Sequence, residues 1–212
     1  MAMADFEVNL KLHCNVVGGP YLRPFSPNTN WRQASCFIIG LNPATALWEE
    51  FSGFEEYWNG LTKEPELFYS RYRAKHRTGQ TKTKKSINEL TSLIGAEKCL
   101  VTNICWYPAP KWRCVPKREL RRHEMQLLKL IDYCQPRVLF FHGKDTVDFV
   151  ERTYGMTLKP NVPPAEQNVQ VGNMQILTYY HLSGLGRKKE QFNPGRDLPV
   201  FADRIRQHLQ IA

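Results

Sequence analysis

No two of the six cysteines stand at C-x-x-C spacing, so the sequence carries no signature of a zinc or iron–sulfur site. Cys36, Cys99 and Cys134 lie in or beside apolar runs, where a reduced thiol acts as a small hydrophobe. No apolar run approaches the roughly 18–20 residues that cross a bilayer. The opening MAMADFEVNLKLHC has no basic start leading into an apolar core, so no secretory signal is expected. No G-x-x-x-x-G-K-[ST] loop occurs, which argues against a nucleotide kinase or NTPase of the P-loop kind. Acidic residues are missing altogether from Arg71–Lys85 (RYRAKHRTGQTKTKK).

That last absence turns into a presence. The 212 residues carry a formal net charge of +9, and the excess is clustered. Lys111–Arg122 (KWRCVPKRELRR) has one Glu, and Arg187-Lys188-Lys189 follows a Gly-rich turn. Such clusters suit a phosphate backbone, whose condensed counterions they displace; a merely solvated face is the alternative.

Four short apolar runs read as strands buried on both faces: 36–40, 99–104, 137–143 and 174–180. Helical patterns lie between them. Leu120, Leu127, Leu128, Ile131 and Cys134 share a helix face ahead of Pro136, and Asp145 to Tyr154 reads as a helix stopped by Gly155. Leu198, Phe201, Ile205 and Leu209 recur at three- and four-residue steps, the mark of an amphipathic C-terminal helix. The alternation predicts an α/β fold, a three-layer α/β/α sandwich on a mainly parallel sheet of about four strands. Residues 156–173 read as a loop with room for a short extra strand, and 1–34 as a wrapping segment. No repeat or linker divides the chain, so residues 1–212 are expected to form one domain.

Ligands of such sheets bind beyond the carboxyl ends of the strands. Those ends read Gly-Leu-Asn-Pro, Asn103 before Trp106-Tyr107-Pro108, His142-Gly143-Lys144, and His181-Leu182-Ser183-Gly184. Taken singly, Asn42 fits a helix cap or an Asx-turn before Pro43, Asn103 a buried amide tying a loop, and His181 a satisfied histidine.

Together the four endings resemble the uracil-DNA glycosylase superfamily. GLNPA at 40–44 is similar to the G-[IM]-N-P-G motif of its mismatch-specific and single-strand-selective branches. YYHLSGLGR at 179–187 resembles their second motif, [HL]-P-[NS]-P-S-G-L-S-R. LVTNICWYPAP at 100–110 is similar to the strand ending in a base-reading Asn, and RVLFFHGKDTVDFV at 137–150 to a strand-turn-helix with Gly after the strand. The order holds over about residues 35–210.

The resemblance implies a DNA glycosylase that flips a pyrimidine out of the stack and hydrolyses its N-glycosidic bond, leaving an abasic site. Asn42 would orient the attacking water, since an amide is a poor general base. His181 would donate to the departing base, and Asn103 would read its edge. Ala44 stands beside the nucleotide, where the family has Gly. Phe54 would stack on the flipped base, with Phe51, Tyr57 and Trp58 as competitors. Leu185, between two glycines, resembles the wedge that fills the vacated gap, with Arg187 and Lys188 on flanking phosphates. Lys84 and Lys85 belong to the basic surface for DNA.

Ala44, Leu182 where the second motif has Pro, and the long aromatic and basic segment 45–95 depart from the family. They leave open a pocket rebuilt for a modified pyrimidine, such as a glucosylated hydroxymethylcytosine of foreign DNA in antiviral defence. A DNA-binding module without turnover is the remaining alternative. No cofactor, cluster or metal is expected; DNA is the expected partner, and the protein is expected to be a cytoplasmic monomer with no membrane association.

Overall fold

The computed structural model describes residues 3–75, 81–158, 166–179, 182–183 and 193–210. In chain order the elements are α1 (Met3–Cys14), β1 (Cys36–Gly40), α2 (Phe54–Thr62), α3 (Pro65–Lys75), α4 (Lys82–Ile94), β2 (Cys99–Asn103), α5 (Lys117–Cys134), β3 (Val138–His142), α6 (Lys144–Tyr154), β4 (Val169–Val171), β5 (Met174–Tyr179) and α7 (Pro194–Gln210). The chain divides into two compact units. One comprises 1–33, 41–79 and 102–135, the other 34–40, 80–101 and 136–212.

The sheet, all of it in the second unit but for the last two residues of β2, has the strand order β2-β1-β3-β5-β4. β1, β3 and β5 pair in parallel, Ile38 facing Phe140 and Phe140 facing Leu177. All five residues of β1 are buried, as a strand covered on both faces must be. Alternation of side chains sorts the layers. Phe140 packs edge-on against Phe201 of α7 at 5.0 Å, while its neighbour Phe141 meets Phe149 of α6 at 6.1 Å. Ile87, Leu90 and Ile94 of α4 join Leu198, Phe201 and Ile205 of α7 in the same cluster as Ile38 and Phe140. Helices thus cover both faces, the α/β/α arrangement that the alternation predicts. The sheet has a fifth strand: β4, three residues long, runs antiparallel on the edge of β5. Such an edge is common on parallel sheets, and three residues, none of them buried, leave almost no periodicity to read.

The turn between β3 and α6 needs Gly143, whose φ of 105° disfavours any side chain, and Gly155 ends α6 in the left-handed conformation at φ 64°. At the same end of the sheet a single carboxylate ties β5 to α7. Buried Asp197 accepts from the Tyr179 hydroxyl (2.8 Å), the Asn193 backbone N–H (3.1 Å) and Arg196 Nε (2.7 Å). Tyr179 and Asn193 bracket residues 180–192 in the chain. Asp197→Asn turns one acceptor oxygen into a donor, and a thermal or urea melt should show a loss of about 1–2 kcal/mol. An unchanged midpoint would mean that this hub holds nothing.

In the first unit α1 buries Phe6, Leu10 and Cys14 at four-residue steps and leaves Val8 and Leu12 exposed. Its sequence alternates apolar and polar residues, a strand-like period, yet the backbone is helical. Phe6 stacks on Tyr133 of α5 at 4.4 Å, and Trp31 lies between Phe25 (5.2 Å) and Tyr133 (5.8 Å). Among its described residues the segment 45–95 contains three helices. Phe54, Tyr57 and Trp58 of α2, Phe68 of α3 and Phe51 just ahead of α2 form an aromatic cluster.

Candidate active site

Asn42 follows β1 by two residues, in a stretch with no helix until Phe54. Three hydrogen bonds lay residues 41–43 along residues 105–109. Cys105 N–H donates to Leu41 O (2.9 Å), Ala109 N–H donates to Pro43 O (2.8 Å), and Asn42 Nδ2 donates to Ala109 O (2.8 Å). Nδ2 also reaches Pro43 O at 3.1 Å. Two carbonyl partners can be met only by the NH2 end of the amide, so its orientation is fixed. Oδ1 accepts no hydrogen bond among the described residues, and no backbone N–H caps it. The side chain is therefore neither a helix cap nor an Asx-turn; it is a half-buried, fixed amide with its acceptor free.

Asn103 ends β2, also half-buried, and its side chain has no hydrogen-bond partner among the described residues. Its donor and acceptor are both available. Thr102, just before it, is anchored through its hydroxyl to Pro24 O and through a bridge to Phe25. Ala44 is exposed. Phe54 opens α2 and is only 9% exposed, with Tyr21 edge-on at 5.2 Å and Trp58 at 6.0 Å. Its competitors are no freer: Phe51, Tyr57 and Trp58 are all buried, and the Tyr57 hydroxyl donates to Leu22 O. Tyr21, half-buried and in contact with Phe54 and Tyr57, is an aromatic that the sequence pattern did not single out.

His181, Leu185, Arg187 and Lys188 lie outside the described residues. Lys84 and Lys85 sit in the first turn of α4, whose N-cap Thr81 accepts from the Lys84 backbone N–H. That turn contains no acidic residue, so its cations oppose the positive end of the helix dipole. A bound anion would relieve this.

A second polar group supports residues 105–109 and escaped the sequence reading. His123 of α5 is 0% exposed; its Nδ1 lies 3.2 Å from Cys105 Sγ and its ring stacks on Trp106 at 6.2 Å. The His13 ring stands 5.6 Å away, and its Nδ1 faces Arg122 Nη2 at 3.2 Å. A guanidinium has no lone pair, so that Nδ1 must be unprotonated. Burial pushes His123 down to about 3, helped by His13 and Arg122, and burial with Arg122 pushes His13 down to about 4. The signal was present: His123 precedes Leu127, Leu130 and Ile131 on the buried face of α5. His142, at the end of β3, is held down to about 4 by burial and is likewise neutral near pH 7.

The six cysteines are free thiols. Among the described residues no group of three or more His, Cys, Asp or Glu is placed to hold a metal ion, and no helix is long and apolar enough to cross a membrane.

In comparison with known proteins, no curated protein matches the chain. The family model described as the uracil DNA glycosylase superfamily, whose members are DNA glycosylases, matches residues 27–206. That range takes in the Asn42 loop, every strand of the sheet and most of α7, and the chain belongs to the uracil DNA glycosylase superfamily.

Proposed function

We propose that the protein hydrolyses the N-glycosidic bond of a flipped pyrimidine in DNA, releasing the base and leaving an abasic site. The observation that carries this is the fixed amide of Asn42. Departure of the base leaves positive charge on the sugar and negative charge on the base. Water must then be held toward the sugar, and an oriented Oδ1 is an acceptor for one of its protons. Asn42 cannot remove a proton as a carboxylate does, so catalysis depends on bond breaking running ahead of attack.

Asn103, with donor and acceptor both unengaged among the described residues, supports base reading at the end of β2. His181 is proposed to donate to the base oxygen that gains charge, Leu185 to occupy the vacated stack, and Arg187, Lys188, Lys84 and Lys85 to hold phosphates. Phe54 and Ala44 are proposed to line the base, Phe54 through rearrangement with Tyr21, because its ring is covered. Both compact units are taken to serve this one activity, in a cytoplasmic monomer. No metal or cofactor takes part in these roles.

The substrate is uracil or a 5-modified pyrimidine, and a panel of DNAs separates them. Mass spectrometry would follow bases released from uracil, thymine-mismatch, hydroxymethylcytosine and glucosylated hydroxymethylcytosine substrates. Release of uracil indicates repair of deaminated cytosine; release of only a bulky modified base indicates defence against foreign DNA. Binding with no release from any of them would make the protein a binding module.

A further inference from the structure

Several surface cations of the first unit are ion-paired. Lys11 bonds Glu55, Arg32 bonds Glu7, Arg71 bonds Glu56, Arg73 reaches Glu66 and Lys75 bonds Glu50, all at or near the surface. Arg23 differs from the exposed Lys63, Lys111, Arg113, Arg121 and Lys129 in being partly buried. It is more enclosed than most of the ion-paired cations too, yet among the described residues it has no carboxylate partner. The remaining residues of this unit, 1–2 and 76–79, contain no Asp or Glu.

Its surroundings are built. The Arg23 backbone N–H donates to Trp106 O (3.0 Å), fixing the main chain. Nη2 donates to Thr45 O (3.0 Å), three residues past Asn42 in the same loop. The guanidinium carbon lies 5.9 Å from the Phe68 ring centroid, and the phenols of Tyr57, Tyr69 and Tyr72 are close enough to feel its charge. Burial lowers its pKa from the ordinary arginine value. Taking a cation out of water is costly unless a counter-charge meets it, and one carbonyl does not supply that. One of five N–H donors is engaged in that bond.

We infer that Arg23 is a phosphate receptor, its guanidinium fork held by Thr45 O so as to grip a DNA phosphodiester beside the nucleotide offered to Asn42. The inference rests on the glycosylase reading for its ligand. A phosphodiester is anionic before any reaction, so it can compensate the guanidinium in the bound ground state; a departing pyrimidine gains charge only in the transition state. The planar fork also matches two phosphate oxygens in a way that an ammonium does not.

The test measures binding, so it does not depend on turnover. Full-length wild type, Arg23→Gln and Arg23→Lys are titrated with oligonucleotides in which each phosphate in turn is a neutral methylphosphonate, and affinities are followed against salt. Among the linkages at which wild type loses affinity, one should cost it roughly tenfold and cost Arg23→Gln nothing. The slope of log K against log salt should fall by about 0.7–0.9 in Arg23→Gln and stay nearly unchanged in Arg23→Lys. Should Arg23→Gln fail to fold, wild type and Arg23→Lys decide together: a wild-type profile with no sensitive linkage, or the same profile in both proteins, overturns the proposal, while one linkage whose penalty shrinks in Arg23→Lys at an unchanged salt slope upholds it. Equal profiles and slopes in folded proteins would leave Arg23 a structural residue. Unchanged binding with slowed base release would assign it to the departing base and refute the phosphate receptor. Sound binding results with no base release from any substrate would refute the glycosylase reading and leave this site standing.

Discussion

Asn42→Ala should slow base release by about 10²–10³-fold while DNA affinity changes only a few-fold, as expected when one preorganised polar group is removed from a reacting centre. The loop should survive, because Leu41 O and Pro43 O keep their backbone donors from Cys105 and Ala109. Single-turnover rates and equilibrium binding, measured side by side, separate the two effects. An unchanged rate would remove Asn42 from the mechanism. Asn42→Asp is more revealing than it looks. A carboxylate at this place would face Ala109 O with no proton to offer, where the amide donates at 2.8 Å. The acid form can donate, so folding favours the protonated carboxyl and raises its pKa above the unfolded value. Its stabilising contribution is then complete below the unfolded pKa and lost as pH rises through the folded one. The variant should match wild type most closely in acid and fall behind by roughly 1–2 kcal/mol near pH 7. A stronger base thus comes with a weaker loop.

Acid should damage this protein through His123 and His13. Both are neutral in the folded state, with folded pKa values of about 3 and about 4, below their ordinary 6.5. As pH falls, the unfolded chain takes up these protons before the folded one does. The stability conferred by keeping them neutral is complete above about pH 6.5 and is lost as pH falls toward the folded values. For fully enclosed His123 the loss is about 2–3 kcal/mol by pH 4.5. Charged groups facing the pair act in both directions: Arg122 and Lys129 oppose protonation of His13, whereas Glu119 favours it and also stands 3.9 Å from His123 Nε2. Thermal midpoints between pH 7.5 and 4.5 check this. The wild-type curve should fall more steeply than that of His123→Leu, which has no proton to take up there. Parallel curves would mean that His123 does not titrate with folding. Because Cys105 donates to Leu41 O and sits against His123, base release should fail over the same pH range.

Much of the sheet was legible in the sequence because buried parallel strands are apolar on both faces and stand out as continuous runs. β1 and β3 coincide with their runs to within a residue or two, and Gly143 and Gly155 mark turns that no side chain would favour. What stayed hidden depends on contacts distant in sequence. Alternating residues in α1 suggest a strand, and tertiary burial of Phe6, Leu10 and Cys14 overrides that period. His123 is camouflaged by basic neighbours, although its spacing to Leu127 puts it on the inner face of α5. Asn42 was identified as a polar residue at a strand end, but the bond that fixes its amide joins residues 67 apart. Arg23 has no local signal whatever. Its isolation from carboxylates emerges only when Thr45, Phe68 and three tyrosines close around it.

The central claim is hydrolysis of an N-glycosidic bond, and product stoichiometry tests it most directly. Free base and aldehyde-reactive abasic sites would be counted in the same reaction on the best substrate, before any alkali or heat. The account predicts equal amounts of the two with the DNA strand intact, both lost together in Asn42→Ala. A modified base still attached to its sugar, or a cut strand that retains its base, would contradict it.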